Sequence, residues 1–341
     1  MIRLKTIDAH AAGEPLRLIV DGFPSPPGRT ILAKREWVKR HADHLRRALM
    51  LEPRGHADMY GAILTEPVSP GSHAGVLFMH NEGYSTMCGH GIVAVTTIAL
   101  ERGLLVPGGD GVSVVYDAPA GTIRARATLG RTGPAGQAGE ATGVRVESVG
   151  FVNVPSFVLH AGLAVQVSGR QVRADVAFGG AFYAIVDCEA VGLPIDVPHL
   201  PELRRVGMQI KHAIEAAKDI VHPHEPGLHG IYGTIFTGPP GEGADLRNVT
   251  IFADAEVDRS PCGTGTAAVM AVVEAMGLLS EDRPFVHESL IGTRFTGRIV
   301  GRTEAGGLPA IVPEISGSAW ITGEHTFLVD DNDPLREGFR L

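Results

Sequence analysis

The sequence CGHGIVAV at residues 88–95 is repeated as CGTGTAAV at residues 262–269, and each copy continues to a Gly-Leu-Leu, at 103–105 and at 277–279. The two copies align without a gap, and the Cys, both glycines, the Ala-Val pair and the closing Gly-Leu-Leu coincide. In each copy this order of residues predicts a loop carrying a cysteine, a Gly-rich turn, an apolar helix and a glycine that ends the helix. Such a repeat indicates two homologous halves, each with one cysteine at a helix N-terminus.

Outside the repeat, short runs rich in β-branched residues recur along the chain, for example at 16–23, 111–118 and 248–254. Gly, Pro, Asn or Asp bounds most of them, as is typical of strands separated by turns. Helical periodicity is confined to a few stretches, namely 31–49, 91–101, 203–217 and 266–276. We therefore predict a strand-rich α+β fold, with a Gly-rich surface loop at 131–143.

The composition indicates a protein that binds small molecules. The chain has 341 residues, a net charge of −8 and three cysteines. An acidic protein is poorly suited to bind nucleic acid or an anionic membrane surface. The N-terminus lacks the apolar core of a signal peptide, and no apolar run reaches the length of about 18 residues that a membrane helix needs. Because the cysteines are few and far apart, we expect free thiols and a soluble, cytoplasmic protein.

The position of Cys88 and Cys262 favours acid–base chemistry. A thiol at a helix N-terminus lies near the positive end of the helix dipole, which favours the thiolate, and the free N–H groups there can hold a carboxylate. Two such helix ends suit a reaction at the carbon next to a carboxylate, with one acid or base for each face of that carbon. The alternative is that both are core cysteines, since free Cys is often buried. The duplicated context favours the functional interpretation.

Several motifs resemble a known family. NEGYSTMCGHG at 81–91 and DRSPCGTGT at 258–266 resemble the two signature motifs of the proline racemase superfamily. The resemblance extends over the chain through EPRGH at 52–56, FGGAFYA at 178–184 and DDNDPL at 330–335. Within the superfamily, GEPLR at 13–17 and YGTIF at 232–236 are most similar to the subgroup that dehydrates trans-3-hydroxy-L-proline.

The resemblance implies a diaminopimelate epimerase-like fold: two pseudo-symmetric halves, each a curved β-sheet or barrel around a central helix, with the active site in the cleft between them. It implies a first half made of residues 1–154 and 323–341, carrying Cys88, and a second half made of 155–322, carrying Cys262. It also implies that no cofactor or metal takes part, and that the partner is a small imino acid. Monomer and homodimer both stay open.

The resemblance also implies roles for individual residues. Cys88 and Cys262 match the catalytic pair. Asp258 matches the acid that holds the imino nitrogen, a role that suits a carboxylate beside a cationic ring. The segments that match the binding site of the substrate carboxylate are Gly89 with His90 and Gly263 with Thr264.

Other residues are candidates for the pocket or for structural roles. His56 and Asp58 are candidates to contact the 3-hydroxyl, although for His56 the alternative of satisfying a local turn is favoured. We expect Cys188 to be structural and the group His222, His224 and His229 to be a solvated loop rather than a metal site.

Tyr60, Tyr84 and Tyr183 could line the pocket, but such aromatics are more often packing residues. The basic stretch Lys34–Arg47 is interpreted as the solvated face of an amphipathic helix.

One residue departs from the dehydratase pattern. The subgroup usually carries Thr where this chain has Cys262, and a threonine hydroxyl is a poor proton-transfer group. Cys262 therefore makes inversion at Cα possible. We predict syn dehydration to Δ1-pyrroline-2-carboxylate with Cys88 as base, accompanied by 2-epimerase activity.

The alternatives use the same residues. A 4-hydroxyproline 2-epimerase or a proline racemase would work by a two-cysteine mechanism. A catalytically silent imino-acid-binding protein would keep Gly89, Asp258 and Gly263 but would have no need of two thiols.

Overall fold

The computed structural model describes residues 1–107, 112–130, 144–280 and 282–340. The loop predicted at 131–143 lies outside the described residues. Two compact units are found, one made of Met1–Phe151 with Ser316–Leu341 and the other of Val152–Ile315. The boundaries drawn from the sequence, at 154/155 and 322/323, and the location of the active site in a cleft stay predictions.

In its described residues, the first unit combines mostly antiparallel strands with three helices. Its strands are β1 (Ile2–Ala11), β2 (Glu14–Asp21), β3 (Tyr60–Thr65), β4 (Ala74–His80), β5 (Tyr84–Ser85), β6 (Ser113–Ala118), β7 (Gly121–Gly130), β8 (Arg145–Val152) and β18 (Ala319–Val329). Its helices are α1 (Ile31–His41), α2 (Asp43–Met50) and α3 (Gly89–Glu101). The last residue of β8, Val152, belongs to the second unit.

The second unit has the same composition of elements. Its strands are β9 (Ser156–Val167), β10 (Arg170–Phe178), β11 (Phe182–Asp187), β12 (Gly233–Gly238), β13 (Leu246–Phe252), β14 (Glu256–Asp258), β15 (Phe285–Glu288), β16 (Arg294–Ala305) and β17 (Leu308–Gly317). Its helices are α4 (Cys188–Val191), α5 (Leu200–Ala217) and α6 (Gly263–Ala275).

Strand pairing follows one pattern in both units. In the first, β1 is antiparallel to β18 and β2, β2 is parallel to β3, β3 is antiparallel to β4, and β4 is parallel to β6. The second unit repeats these relationships. There, β10 is antiparallel to β9 and β11, β11 is parallel to β12, β12 is antiparallel to β13, and β13 is parallel to β15. The prediction of two pseudo-symmetric halves in an α+β fold is confirmed.

Each half is built around one apolar helix. Every residue of α3 from Gly89 to Leu100 is buried, and so is every residue of α6 from Gly263 to Val272. A helix that is apolar on all sides must be enclosed by other elements. In agreement, α3 packs against β1, β2, β7 and β18, and α6 against β9, β10, β11 and β16. The sheets thereby fix the two helix N-termini that carry the cysteines.

The second glycine of each repeat allows a close approach at the helix start. A Cβ at Gly91 would lie 2.4 Å from the Phe78 ring, and one at Gly265 would lie 2.9 Å from Sγ of Cys262. Any larger side chain at these positions would displace the ring or the sulfur. This explains why both copies of the repeat keep the glycine.

The helix predicted at 31–49 is interrupted. Ala42 has φ −130° and ψ 11°, so α1 ends before it and α2 begins at Asp43. The prediction that the basic stretch Lys34–Arg47 forms a solvated face is also wrong at two residues. Lys34 is buried and donates to the Glu66 carbonyl at 2.6 Å, and Arg46 is buried and donates to the His80 carbonyl at 2.8 Å. Burial of these cations is possible because the backbone carbonyls of Glu66 and His80 accept their hydrogen bonds.

Among the described residues, no helix combines the length and the apolar character needed to cross a membrane.

Candidate active site

Cys88 is the N-cap of α3. Its Sγ accepts a hydrogen bond from the Gly91 N–H at 3.2 Å, and Nδ1 of His90 lies 3.3 Å from the same sulfur. Both side chains are buried. The sulfur therefore has a backbone donor and an imidazole within reach, an arrangement that can hold a thiolate.

A tyrosine packs against the imidazole of His90. The Tyr60 ring meets it edge-on, with ring centroids 4.8 Å apart, and it also stacks with His80 at 5.7 Å. The Tyr60 hydroxyl lies 2.5 Å from Oγ of Ser85. Tyr60 is thus held at both its ring and its hydroxyl, which restricts the movement of His90.

Cys262 is the N-cap of α6, in an unusual conformation. Its φ of 62° lies in the left-handed region, which is unfavourable for a residue with a Cβ. Two hydrogen bonds hold it there: Sγ accepts from the Gly265 N–H at 3.3 Å, and the Cys262 N–H donates to Oγ of Ser260 at 3.1 Å. The same Ser260 donates from Oγ to Asp258 at 2.7 Å and from its N–H at 2.8 Å.

Burial controls the charges of this second group of residues. It raises the pKa of Asp258 to about 6, against the opposing effect of the Ser260 hydrogen bonds. Burial, and then the negative charge of Asp258, raise the pKa of Cys262 to about 12. The helix N-terminus alone favours a thiolate at Cys262, but these two effects outweigh it. Cys262 is therefore a thiol near neutral pH.

The hydroxyl groups of Tyr183 and Thr264 lie near the Cys262 sulfur. The Tyr183 hydroxyl lies 2.6 Å from Oγ1 of Thr264 and 3.6 Å from Sγ of Cys262, while Oγ1 of Thr264 is 3.7 Å from that sulfur. Tyr183 is fully buried. Its position at the end of FGGAFYA gives no sign of this contact, because it depends on pairing across the fold.

A buried polar network supports the residue before Cys262. Nδ2 of Asn248 donates to the Pro261 carbonyl at 3.0 Å and lies 2.9 Å from Nε2 of His287. Nδ1 of His287 lies 2.9 Å from Oγ1 of Thr266 on α6. Burial lowers the pKa of His287 to about 3, so the ring is neutral. This network and Ser260 are not predicted from the sequence, although the position of Ser260 between Asp258 and Cys262 is a usable signal.

His56 and Asp58 lie in the loop before β3. His56 is exposed, with Nδ1 2.7 Å from the Ala57 carbonyl, as a local turn would have it, whereas Asp58 is buried with φ 60°. Asn81 holds this loop by donating to the His56 carbonyl at 3.1 Å and accepting from the Met59 N–H at 3.1 Å. Contact of these side chains with a substrate hydroxyl stays a prediction.

The remaining thiol and histidines lie elsewhere in the second unit. Cys188 is buried and begins α4. Nδ1 of His222 accepts from the His224 N–H at 3.2 Å, and Nε2 of His224 accepts from the Gly306 N–H at 2.9 Å. In the part of the chain that the structure describes, no group of three His, Cys, Asp or Glu side chains could hold a metal ion.

Comparisons with known proteins find matches over nearly the whole chain. The proline racemase family model matches residues 6–340. The trans-3-hydroxy-L-proline dehydratase of Bacillus cereus is 48% identical over 337 residues, covering 98% of this chain and 97% of that protein. The 3-hydroxyproline 2-epimerase of Burkholderia multivorans is 44% identical over 338 residues, with coverages of 98% and 97%. A crystal structure of a hydroxyproline epimerase from Agrobacterium vitis, with bound trans-4-hydroxy-L-proline, matches with a TM-score of 0.89 at 30% identity, covering 100% of this chain and 95% of that one.

Proposed function

Because the chain belongs to the proline racemase family, we propose that it dehydrates trans-3-hydroxy-L-proline to Δ1-pyrroline-2-carboxylate, with 2-epimerisation as a side reaction. The observation that carries the proposal is the pair of buried cysteines, each the N-cap of the central helix of its half. Dehydration and epimerisation both begin with loss of the α-hydrogen, and the names of the relatives from Bacillus cereus and Burkholderia multivorans support both.

Substrate binding is assigned to the two helix N-termini and to one carboxylate. The N–H groups at a helix N-terminus are suited to a carboxylate. Asp258 is buried, and as a carboxylate it would form a charge-assisted hydrogen bond with the cationic ring nitrogen. The residues we assign to the substrate carboxylate are Gly89, His90, Gly263 and Thr264.

Dehydration needs a base and an acid on one face of the ring, since the α-hydrogen and the 3-hydroxyl of this substrate share a face. We assign the base to the thiolate of Cys88. His90, with Nδ1 3.3 Å from that sulfur, can hold the proton that the thiol gave up and deliver it to the departing hydroxyl. The α-proton goes to sulfur, the C3–O bond breaks, and water leaves. The C2=C3 enamine then tautomerises to the C2=N imine.

Epimerisation needs a proton on the opposite face of C2. Cys262, protonated because its pKa is raised to about 12, can supply that proton before the hydroxyl leaves. The product would be cis-3-hydroxy-D-proline. The ratio of the two products then depends on whether Cys262 protonates the carbanion faster than the hydroxyl departs.

The second candidate is epimerisation of 4-hydroxyproline. The match with the Agrobacterium vitis enzyme and the presence of Cys262 favour it. A 4-hydroxyl lies one carbon further from C2 and cannot leave by this elimination. We place the reaction in the cytoplasm, with the enzyme as a monomer or homodimer.

Product analysis tests the proposal. The reduced enzyme is incubated with trans-3-hydroxy-L-proline or trans-4-hydroxy-L-proline, and the imine is trapped with o-aminobenzaldehyde and identified by mass spectrometry. We expect the adduct only from the 3-hydroxy isomer. Complete absence of the adduct, together with 2-epimer formation from the 4-hydroxy isomer, would favour the second candidate.

A further inference from the structure

The two copies of the repeat differ in the residue two positions after the cysteine. In the first half this residue is His90, whose Nδ1 lies 3.3 Å from Sγ of Cys88. In the second half it is Thr264, whose Oγ1 lies 3.7 Å from Sγ of Cys262. An imidazole can exchange a proton with its sulfur near neutral pH, whereas a threonine hydroxyl can only donate or accept a hydrogen bond.

Tyr183 compensates for this difference. Its hydroxyl reaches both Oγ1 of Thr264 at 2.6 Å and Sγ of Cys262 at 3.6 Å, so the three polar atoms form one cluster. The side chain is fully buried and comes from β11, a strand on which α6 packs. No water is needed to connect these groups, because each lies within hydrogen-bonding distance of the next.

The cluster has a chemical consequence at the moment of proton transfer. When Cys262 gives its proton to a carbanion, a negative sulfur is left in a buried place next to Asp258. Hydroxyl donors stabilise such a thiolate, and the hydrogen bonds from Tyr183 and Thr264 both lower the pKa of Cys262. Without the Tyr183 hydroxyl, the thiolate loses one donor and Thr264 loses its 2.6 Å contact with that hydroxyl.

We propose that Tyr183 is a positioning residue for Cys262 and determines how much substrate is epimerised rather than dehydrated. This inference rests on the proposed function, in which Cys88 alone removes the α-proton and Cys262 serves only the opposite face. Tyr183 should therefore affect one reaction of the active site and leave the other almost unchanged. A tyrosine that only packs against α6 would affect both equally.

The first unit offers a matched control. Tyr116 is also fully buried, and its hydroxyl accepts a hydrogen bond from Oγ1 of Thr96 on α3 at 3.2 Å. This tyrosine–threonine pair connects a strand to the central helix, as Tyr183 and Thr264 do. Thr96, however, lies eight positions after Cys88, whereas Thr264 lies two positions after Cys262. Y116F and Y183F each remove one buried hydroxyl and no carbon, so their effects on folding should be similar.

The experiment measures both reactions and the reactivity of the thiol. For Y183F we expect the epimerisation rate to fall about tenfold or more, the loss typical of one hydrogen bond to a charged group, while the dehydration rate stays within about twofold. Alkylation of Cys262 by iodoacetamide, followed by peptide mass spectrometry without substrate, should slow by a similar factor, and that of Cys88 should not change. Y116F should match the wild-type protein in all three measurements.

Equal losses of epimerisation and dehydration in Y183F, or an unchanged ratio with an unchanged alkylation rate of Cys262, would overturn the inference. Alkylation is measured without substrate, so it remains informative if the wild-type protein fails to act on trans-3-hydroxy-L-proline. In that case the proposed function is wrong, and slower alkylation of Cys262 in Y183F would still support the positioning role.

Discussion

Tyr60 and Tyr232 occupy equivalent positions in the two halves. Each precedes a glycine at a parallel strand pairing: Gly61 pairs with Arg17 of β2, and Gly233 pairs with Tyr183 of β11. The Tyr60 ring lies edge-on to His90 at 4.8 Å, and the Tyr232 ring lies edge-on to Tyr183 at 5.9 Å. In both halves this tyrosine therefore packs against the side chain that contacts the cysteine sulfur. The contacting group is an imidazole beside Cys88 and a phenol beside Cys262.

Replacing Cys88 should abolish both reactions. A serine hydroxyl does not ionise near neutral pH and so provides no anionic base. The rates of dehydration and epimerisation should therefore fall by at least about a thousandfold in C88S. Product formation by mass spectrometry measures both. C188S is the control, because Cys188 is also buried and begins the short helix α4, and it should keep near wild-type rates. A C88S variant that still dehydrates at a tenth of the wild-type rate would show that another base is used.

Replacing Cys262 by threonine should separate the two reactions. In C262T the opposite face of C2 has no thiol, so epimerisation should become undetectable while dehydration stays within about tenfold of wild type. Chiral chromatography of the remaining substrate measures the epimer, and imine trapping measures the dehydrated product. If both rates fall together, Cys262 takes part in dehydration as well, and the assignment of Cys88 as sole base is wrong.

The acid limb of the pH profile should report Asp258. Burial raises the pKa of this carboxyl to about 6, and only the carboxylate can pair with the cationic substrate. The kcat/KM should therefore decrease as the pH falls through about 6, approaching about tenfold per pH unit below it. D258N should lower kcat/KM about a hundredfold at pH 8 and lose this limb. Persistence of the same limb in D258N would mean that another group titrates there.

The same residue should make the protein less stable as the pH rises. The native carboxyl holds its proton more tightly than the ordinary group with a pKa of 3.8, so the free energy of unfolding is highest below that value and decreases as the pH rises through about 6. In D258N no carboxyl ionises at this position, so the free energy of unfolding does not decrease in this way. The variant should therefore be more stable than wild type by about 1 to 3 kcal/mol at pH 7.5, and by much less at pH 4. Urea unfolding at the two pH values tests this. A D258N protein that is less stable than wild type at pH 7.5 would contradict the burial cost.

The sequence was informative where the signal is local. The repeat around Cys88 and Cys262 predicted both central helices, their buried character and the N-cap position of each cysteine. The break at Ala42 escaped prediction because apolar residues keep a helical spacing on both sides of it. The sequence also placed Asp258 near Cys262, because only Arg259, Ser260 and Pro261 separate them.

Long-range contacts account for what the sequence did not show. Tyr183 and Thr264 are 81 positions apart, and their contact depends on the strand register of the second half. The raised pKa of Cys262 depends on burial that no local pattern reveals, and it reverses the effect expected from the helix N-terminus alone. The buried network of Asn248 and His287 depends in the same way on the pairing of β13 with β15.

The most direct test of the two-cysteine account is proton NMR of the reduced protein with trans-3-hydroxy-L-proline in D2O. We predict that Δ1-pyrroline-2-carboxylate accumulates, and that a smaller amount of 2-epimer appears with deuterium at Cα, since the proton that returns on the opposite face comes from a solvent-exchanged Cys262. An unchanged spectrum, or an epimer that keeps its original α-hydrogen, would contradict the account.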